Sequence, residues 1–171
     1  GLEEATLLSH ICNTLGLLGD RQAVPVLIQF AHRVVDIGRR TNSAKRRENL
    51  AVGDPDIPGS VVFAAVIRAQ AKLGDPGSIS FIAHAVSDLD PYVRVQALEA
   101  LKSIDPNGSE MAGREAMRRA LSDPSDAVIH SAIRLAKQYR DSEALPWLRQ
   151  LAETRPDFAS DVNDASRQLQ G

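Results

Sequence analysis

The chain repeats a short motif three times, and this self-similarity constrains its fold more than any other feature. The segment Leu18–Leu27 reappears as Leu73–Ile82 and again as Tyr139–Leu148, each time as an apolar helix end, a turn with an acidic residue and a new apolar start. Repetition at an interval of a few tens of residues is typical of solenoids, in which each unit buries its apolar face only against its neighbours. We therefore predict a repeat array, whose usual role is to present a surface.

The bulk composition suits a single helical domain over residues 1–171. Hydrophobic residues make up 43% of the 171 residues but aromatic residues only 4%, so Leu, Val, Ile and Ala must fill the core. Small aliphatic side chains suit closely packed helices. The formal net charge is -2, and that balance does not draw the chain toward nucleic acid or an anionic membrane. No apolar run approaches the ~20 residues of a transmembrane helix, so we expect no membrane span.

Cys12 is the single cysteine, so the chain cannot form an internal disulfide. This fits a reducing compartment, and we expect cytoplasmic localisation. Because Cys12 falls among the apolar residues Leu8, Ile11 and Leu15, we expect a packed core thiol rather than a reactive one. The N-terminus lacks the basic-then-apolar pattern of a signal peptide. The start at Gly1 is consistent with a piece of a longer protein.

Apolar spacing predicts a succession of helices. No stretch shows the sustained alternation that is typical of strands. We therefore predict an all-α fold, an α–α superhelix or solenoid of about four helical-hairpin repeats. The predicted helices span about residues 2–18, 20–37, 60–73, 79–87, 91–104, 109–121, 127–140, 143–154 and 157–169.

A basic segment rich in Pro and Gly interrupts this rhythm, and we predict a loop insertion at about residues 38–59. A solvated loop is the plain interpretation. Docking to an acidic protein partner and contact with phosphate or nucleic acid are the functional alternatives, although no aromatic side chains accompany the charges as nucleic-acid binding would favour. The positive charges of this basic loop are Arg39, Arg40, Lys45, Arg46 and Arg47.

The repeated units resemble HEAT repeats, particularly the short bacterial kind named after phycobilisome lyases. The first half of that signature stands here as Leu15–Asp20 followed by Ala23–Leu27, and the second half as Asp90–Leu101. The resemblance covers most of the chain outside the insertion and implies a helical solenoid. It says little about function, because its positions are turn and core positions. The chain departs from the pattern where Ser80 replaces a proline and Gln70 replaces a leucine.

Helix periodicity also predicts which side chains face outward. If Val93, Ala97 and Leu101 are buried, the opposite stripe holds residues three or four apart, and aligning the repeats extends it to Ala64 and Ser160 in neighbouring units. One row then reads Arg68, Glu99, Arg134 and Asp164, with alternating sign. It is either a ladder of ion pairs within the chain or the concave floor for a polar partner segment. The candidate partner-binding residues are Arg68, Val95, Glu99, Lys102, His130, Arg134 and Lys137.

The sequence shows no pattern that supports catalysis, and we predict no catalytic residue, cofactor or metal site. The histidines do not form a His-Glu-x-x-His or Cys/His motif, and His-Glu pairs are lacking. Gly16 and Gly19 lack the Lys-Ser/Thr of a phosphate-binding loop, and helix packing and capping explain them. We see no carboxylate pair placed for acid–base chemistry and no Gly-x-Ser-x-Gly elbow.

The sequence therefore favours a non-catalytic protein–protein interaction or scaffold module with a concave helical surface. One alternative, implied only by the resemblance, is a phycobilisome-associated subunit like a bilin lyase, which would work with a second HEAT-like subunit. The other is a HEAT-like nucleic-acid-binding protein. That alternative requires a strongly basic face with aromatic residues, and the alternating row argues against it. Another protein is the expected partner.

We predict that the insertion is dispensable for folding. Replacing Arg39–Arg47 by a short Gly/Ser linker should leave the melting temperature nearly unchanged, because each doubling of loop length costs only ~0.6 kcal/mol. Thermal denaturation measures this, and a loss of many degrees would show that the segment packs into the core. Partner capture that is unchanged at low and high salt would remove the basic loop from the binding elements.

Overall fold

The computed structural model describes residues 2–42 and 58–170, and over these residues it contains helices and no strand. This confirms the predicted all-α fold. Short 3-10 turns at Pro76–Ser78, Ser142–Ala144 and Pro156–Phe158 lead into the helices that follow them. The α-helices are α1 (Leu2–Leu18), α2 (Ala23–Asn42), α3 (Pro58–Leu73), α4 (Ile79–Ala85), α5 (Pro91–Ile104), α6 (Met111–Ala120), α7 (Asp126–Tyr139), α8 (Leu145–Thr154) and α9 (Ala159–Gln170).

Aspartates in the turns begin the helices as the sequence indicates. Asp90 caps α5, where its carboxylate accepts a hydrogen bond from the backbone N–H of Tyr92 at 2.9 Å. Pro91 follows as the first helical residue, where the missing N–H costs nothing because that group has no partner within the helix. Asp20 acts in the same way before α2 and accepts from the N–H of Gln22 at 2.9 Å. The Asp-Pro and Gly-Asp dipeptides are therefore turn signals with a local physical cause.

The helices form two layers. In the odd layer, α1, α3, α5, α7 and α9 each pack against the next odd-numbered helix. In the even layer, α2, α4, α6 and α8 each pack against the odd-numbered helix that follows them in the chain. This arrangement of stacked hairpins is a helical solenoid, in which each unit is stabilised by its neighbours.

The face of α5 that the sequence predicts to be buried is buried. Val93, Ala97 and Leu101 are inaccessible to solvent, whereas Glu99 is partly exposed and Lys102 exposed. The residue spacing of the buried set follows the 3.6-residue turn of the helix, so one side faces the core and the other faces solvent. The predicted orientation of α5 is confirmed.

The N-terminal helices approach each other closely. A Cβ atom on Gly16 would lie 2.8 Å from the Cα atom of Ala69, so only glycine permits this contact between α1 and α3. Gly19, which follows α1, has a φ of 74°, a backbone conformation that glycine commonly adopts at the end of a helix and that other residues disfavour.

Cys12 is buried at 2% exposure, as predicted, and burial raises the pKa of its thiol. A protonated thiol in the core is a packing group rather than a nucleophile.

The predicted bounds of the insertion differ from the structure. Helix α2 continues through Gly38 to Asn42, and α3 already begins at Pro58. A glycine inside a helix costs about 1 kcal/mol relative to alanine, which does not stop a helix that is otherwise favoured. Arg39 and Arg40 therefore belong to the helical backbone of α2. Lys45, Arg46 and Arg47 lie outside the described residues.

Position in the array decides how deeply equivalent residues are buried. Trp147 takes a helix position that Val26 and Phe81 hold in other copies, and the sequence favours a core role for Trp147. Trp147 and Phe81 do pack against the core, but Val26 is exposed. The difference arises because α2 belongs to the first hairpin, where no earlier hairpin is described to cover it.

Substitution of the buried α5 residues tests this packing. Ala97→Asp or Leu101→Asp should abolish cooperative thermal unfolding, because each places an unpaired charge among inaccessible apolar groups. The matched substitution on the opposite face, Glu99→Ala, should change the free energy of unfolding by less than ~1 kcal/mol, because it removes only a surface ion pair. Equal damage from all three substitutions, measured by urea denaturation, would contradict this helix orientation.

Candidate functional site

The candidate partner-binding residues lie on three successive helices of the odd layer. Val95 and Glu99 are partly exposed on α5, and His130 and Arg134 are exposed on α7. We call these residues, together with the others of the predicted set, the odd-helix face. The full odd-helix face is Arg68 of α3, Val95, Glu99 and Lys102 of α5, and His130, Arg134 and Lys137 of α7.

One ion pair joins α5 to α7 across this face. Arg134 Nη2 lies 3.0 Å from Glu99 Oε1, and Lys102 Nζ lies 3.7 Å from the other carboxylate oxygen of Glu99. Arg134 also donates to the hydroxyl of Ser131 at 3.0 Å. These pairs are partly or largely solvent-exposed, so each stabilises the fold by only ~0–1 kcal/mol. The Glu99–Arg134 step of the predicted ladder is confirmed.

The next step of the ladder runs through different residues than predicted. Asp164 of α9 pairs with Lys137 rather than with Arg134, and Arg167 Nη2 lies 4.0 Å from its other oxygen. The hydrogen bond from Lys137 lowers the pKa of the Asp164 carboxyl. His130 Nδ1 lies 3.2 Å from Asp161 Oδ2. Side chains of α7 therefore reach across to carboxylates of α9.

His130 also packs on an aromatic ring. Its imidazole packs against Phe158 with the ring centroids 4.8 Å apart and the ring planes tilted by 48°. Phe158 is buried, and the guanidinium of Arg155 lies 4.9 Å from its ring centroid. Arg155 is held in turn by Asp126 at 2.9 Å and by Asp157 at 2.8 Å. The α7 end of the odd-helix face thus adjoins a network of charges built around one buried ring.

The α3 end of the predicted row is wrong in two respects. Ala64, expected on the exposed stripe, is fully buried, because α3 packs against α1, α2 and α5. Arg68 is only partly exposed, and it donates to the side chains of Gln96 at 3.1 Å and Tyr92 at 3.4 Å instead of pairing with Glu99. The alternating ladder therefore does not extend to α3, where Arg68 binds neutral groups.

Two buried charge clusters in the turns were not predicted. Arg94 reaches from α5 to Asp123, with both contacts at 2.7 Å, and it also donates to the backbone carbonyls of Asp88 and Leu89. Arg94 lies on the buried arc of α5 beside Leu98 and Leu101, and a charge on such an arc requires a partner. An arginine on the buried side of α5 was therefore the feature of the sequence from which this cluster could have been predicted. Asp123 also accepts from the N–H of Ser125 at 2.9 Å, which ties the cluster to the next helix start.

Asp141 forms the second buried cluster, at 2% exposure. Arg118 contacts both of its carboxylate oxygens at 2.7 Å, and Arg114 contacts one at 3.1 Å. Arg114 also donates to the carbonyl of Gly108 at 2.5 Å. Two guanidinium groups on one carboxylate satisfy it without water, so this cluster fixes the turn after α7 against α6. Its role is structural.

The described residues offer limited means for other chemistry. Within residues 2–42 and 58–170, no three His, Cys, Asp or Glu side chains lie close enough together to hold a metal ion. A surface groove of about 340 Å³ between the turns after α4 and α6 is lined by Leu89, Arg119 and the Arg94–Asp123 pair. Among the helices of the described part of the chain, none is both long and apolar enough to cross a bilayer.

Comparison with known proteins identifies the family. A family model for HEAT repeats matches residues 82–166, which contain α5 to α8 entire and the greater part of α9. The matched region and the two-layer stack of helices agree, and the chain is a HEAT-like repeat protein. No curated protein sequence matches it. The resemblance to the phycobilisome-lyase type stays a prediction.

We predict that the Lys137–Asp164 pair has a measurable acid dependence. Because Lys137 holds the pKa of Asp164 below its ordinary value of 3.8, the pair stabilises the fold above that value. The stabilisation is lost as the pH falls through the pKa of the folded state. In carboxyl-detected NMR titrations, Lys137→Met should return the Asp164 pKa toward 3.8.

Asp157 provides the matched control, because Arg155 rather than Lys137 lowers its pKa. Its titration should be the same in the parent and in Lys137→Met. An Asp164 pKa that does not move in this variant would show that the pair does not form in solution.

Proposed function

We propose that this chain is a non-catalytic protein-interaction module that binds an extended acidic segment of another protein along the odd-helix face. HEAT repeats commonly serve protein–protein interaction or scaffolding. The observation that carries the proposal is that the side chains of the odd-helix face recur at equivalent positions of three successive odd-numbered helices and are all exposed or partly exposed. Their charges explain the choice of an acidic segment.

The packing of the two layers favours a concave shape for this face. Odd-numbered helices contact one another at every step of the stack, whereas even-numbered helices pack mainly across to the odd layer. The layer with the closer spacing lies on the inside of a curved stack. Concave inner surfaces are what solenoids use to bind extended partners. The odd-helix face would therefore line the inside of the curve.

The charge balance of the odd-helix face favours a negatively charged partner. Arg68, Lys102, Arg134 and Lys137 are cationic, and Glu99 is the one carboxylate in the set. The pairs that Arg134 and Lys102 make with Glu99 are largely exposed and weak, so a partner carboxylate can replace them at little cost. Electrostatic complementarity of this kind raises the association rate and selects the partner.

A displayed library of 15-residue peptides tests the proposal directly. Acidic peptides should be enriched on the parent protein, and Lys102→Glu/Arg134→Glu/Lys137→Glu should weaken their binding at least tenfold, because it reverses the local charge. The matched control is Arg119→Glu/Arg140→Glu/Arg149→Glu, which makes the same change in net charge at exposed positions outside the odd-helix face. Binding is measured by biolayer interferometry at two salt concentrations.

Two results would contradict the proposal. One is equal loss of affinity in the odd-helix triple variant and in the control, which would show that peptide binding depends on the net charge of the protein and not on the odd-helix face. The other is enrichment of peptides whose affinity neither variant changes. Circular dichroism and thermal melting establish that both variants are folded before binding is compared.

The bilin-lyase and nucleic-acid alternatives stay predictions. Among the described residues, no contact favours a tetrapyrrole or a nucleic acid over a protein segment. On the odd-helix face, Arg134 is held by Glu99; Phe158, which His130 contacts, is buried, and Tyr92, which Arg68 contacts, is only partly exposed. Stacking of bases requires exposed aromatic side chains.

A further inference from the structure

The first helix exposes apolar side chains on the side opposite to its core. Leu7 is 62% exposed, Ile11 47% and Leu18 72%. Thr14 is exposed between them. We call Leu7, Ile11, Thr14 and Leu18 the terminal stripe. Because α1 also buries Ala5, Cys12 and Gly16 against the rest of the protein, it is apolar on both sides, a property typical of helices that are buried on both sides.

The polar groups near the terminal stripe are already satisfied by their own helix. The hydroxyl of Thr14 donates to the backbone carbonyl of His10 at 2.8 Å, and His10 Nδ1 lies 2.8 Å from the backbone carbonyl of Thr6. Thr14 therefore adds a methyl group to the stripe without a hydroxyl that requires water. The intervals of four, three and four residues are those at which apolar side chains form the seam between two packed helices.

Each position of the terminal stripe has an equivalent in the other odd-numbered helices, and those equivalents are packed. Aligning Leu18-Gly19-Asp20 with Leu73-Gly74-Asp75 sets the register between α1 and α3. In α3 all four equivalents are buried at 4% exposure or less. In α5, α7 and α9 they are also buried, except Ile104, which is partly buried against the core. The equivalents are Val62, Val66, Ala69 and Leu73 in α3, Val93, Ala97, Ala100 and Ile104 in α5, Val128, Ala132, Leu135 and Tyr139 in α7, and Val162, Ala165 and Leu169 in α9, with Phe158 in the 3-10 turn before it.

The difference arises because the described residues supply no neighbour for this side of α1. α3 is covered by α1 and α2, and each later odd-numbered helix is covered by the odd and even helices before it. Within the described residues, α1 has no helix in the corresponding place. The terminal stripe therefore uses the same helix positions as the interfaces between the described repeats. It is a stacking surface that no described helix covers.

The other end of the array cannot supply that second half. The outer side of α9 exposes polar and charged residues that include Ser160, Asn163 and Arg167. Stacking the first helix of one copy on the last helix of another would bury leucines against unpaired charges, which is unfavourable. A second terminal stripe, in contrast, is apolar along its whole length. The described surface therefore favours contact between identical ends over an open head-to-tail chain.

We infer that two copies of this chain associate through their terminal stripes in a symmetrical dimer. The intervals of the stripe read the same in both directions, so an antiparallel two-fold contact matches apolar positions throughout. It places Leu7 against Leu18 of the second copy and Ile11 against Thr14 of the second copy. One helix pair is a small interface, and we expect dissociation constants in the micromolar range. The inference does not depend on the proposed function.

Sedimentation equilibrium of the 171-residue chain tests the inference. The chain mass is 18.5 kDa, and the parent protein should approach twice that mass at concentrations of about 100 µM. Leu7→Glu and Leu18→Lys should each remain monomeric, because each would bury unpaired charges in the contact. Leu89→Glu is the matched control, since Leu89 is 64% exposed in a turn away from α1. This control should associate like the parent.

Mixing the two charged variants tests the antiparallel pairing. An equimolar mixture of Leu7→Glu and Leu18→Lys should recover the dimer mass, because one contact becomes a Glu–Lys pair and the other remains Leu–Leu. All substituted positions are exposed, so the variants should retain the parent circular dichroism spectrum. A parent protein that stays monomeric, or a Leu7→Glu variant that associates like the parent, would overturn the dimer. Failure of the mixture to associate would overturn the antiparallel arrangement.

Discussion

Close stacking of the odd-numbered helices is the constraint on which the rest of this structure depends. Small residues make it possible, as the contact between Gly16 and Ala69 shows at the N-terminal end. Ala97 and Ala132 are fully buried at matching positions of α5 and α7, and Ala165 is fully buried in α9. Backbones that approach this closely make many weak dispersion contacts. These contacts stabilise a core in which few aromatic side chains are present. The low aromatic content and the two-layer architecture therefore have the same origin.

Buried arginine–aspartate clusters complement this stacking by fixing the turns. Arg94 joins the start of α5 to Asp123 in the turn after α6, and Arg118 joins α6 to Asp141 in the turn after α7. Stacked apolar helices can slide along one another with little change in buried area, whereas a bidentate ion pair has one geometry. Such pairs add little net stability, yet removal of one partner leaves a buried charge uncompensated. We interpret them as devices that set the register between consecutive repeats.

Most of the fold could be predicted from the sequence, because helix periodicity and Asp, Pro and Gly at turns act locally. The orientation of α5 and the burial of Cys12 follow from that periodicity. The burial of Ala64 could not be predicted in the same way, because it depends on how closely the neighbouring helices pack around α3. Similarly, Arg68 was expected opposite Glu99, but its reach to Gln96 is decided by tertiary placement. Local pattern thus determines which residues form each helix, and contacts between helices determine which outward residues meet.

The two surfaces of interest follow from one geometric rule and point in different directions. In a stack, each odd-numbered helix has two sides along the array and one side facing outward from the layer. The terminal stripe is the along-array side of α1, whereas the odd-helix face is the outward side of α3, α5 and α7. Occupation of one therefore leaves the other accessible. A dimer joined at the terminal stripes would carry two odd-helix faces, and a partner with two acidic segments would gain affinity from the second without any new contact, provided that its linker spans the distance between them.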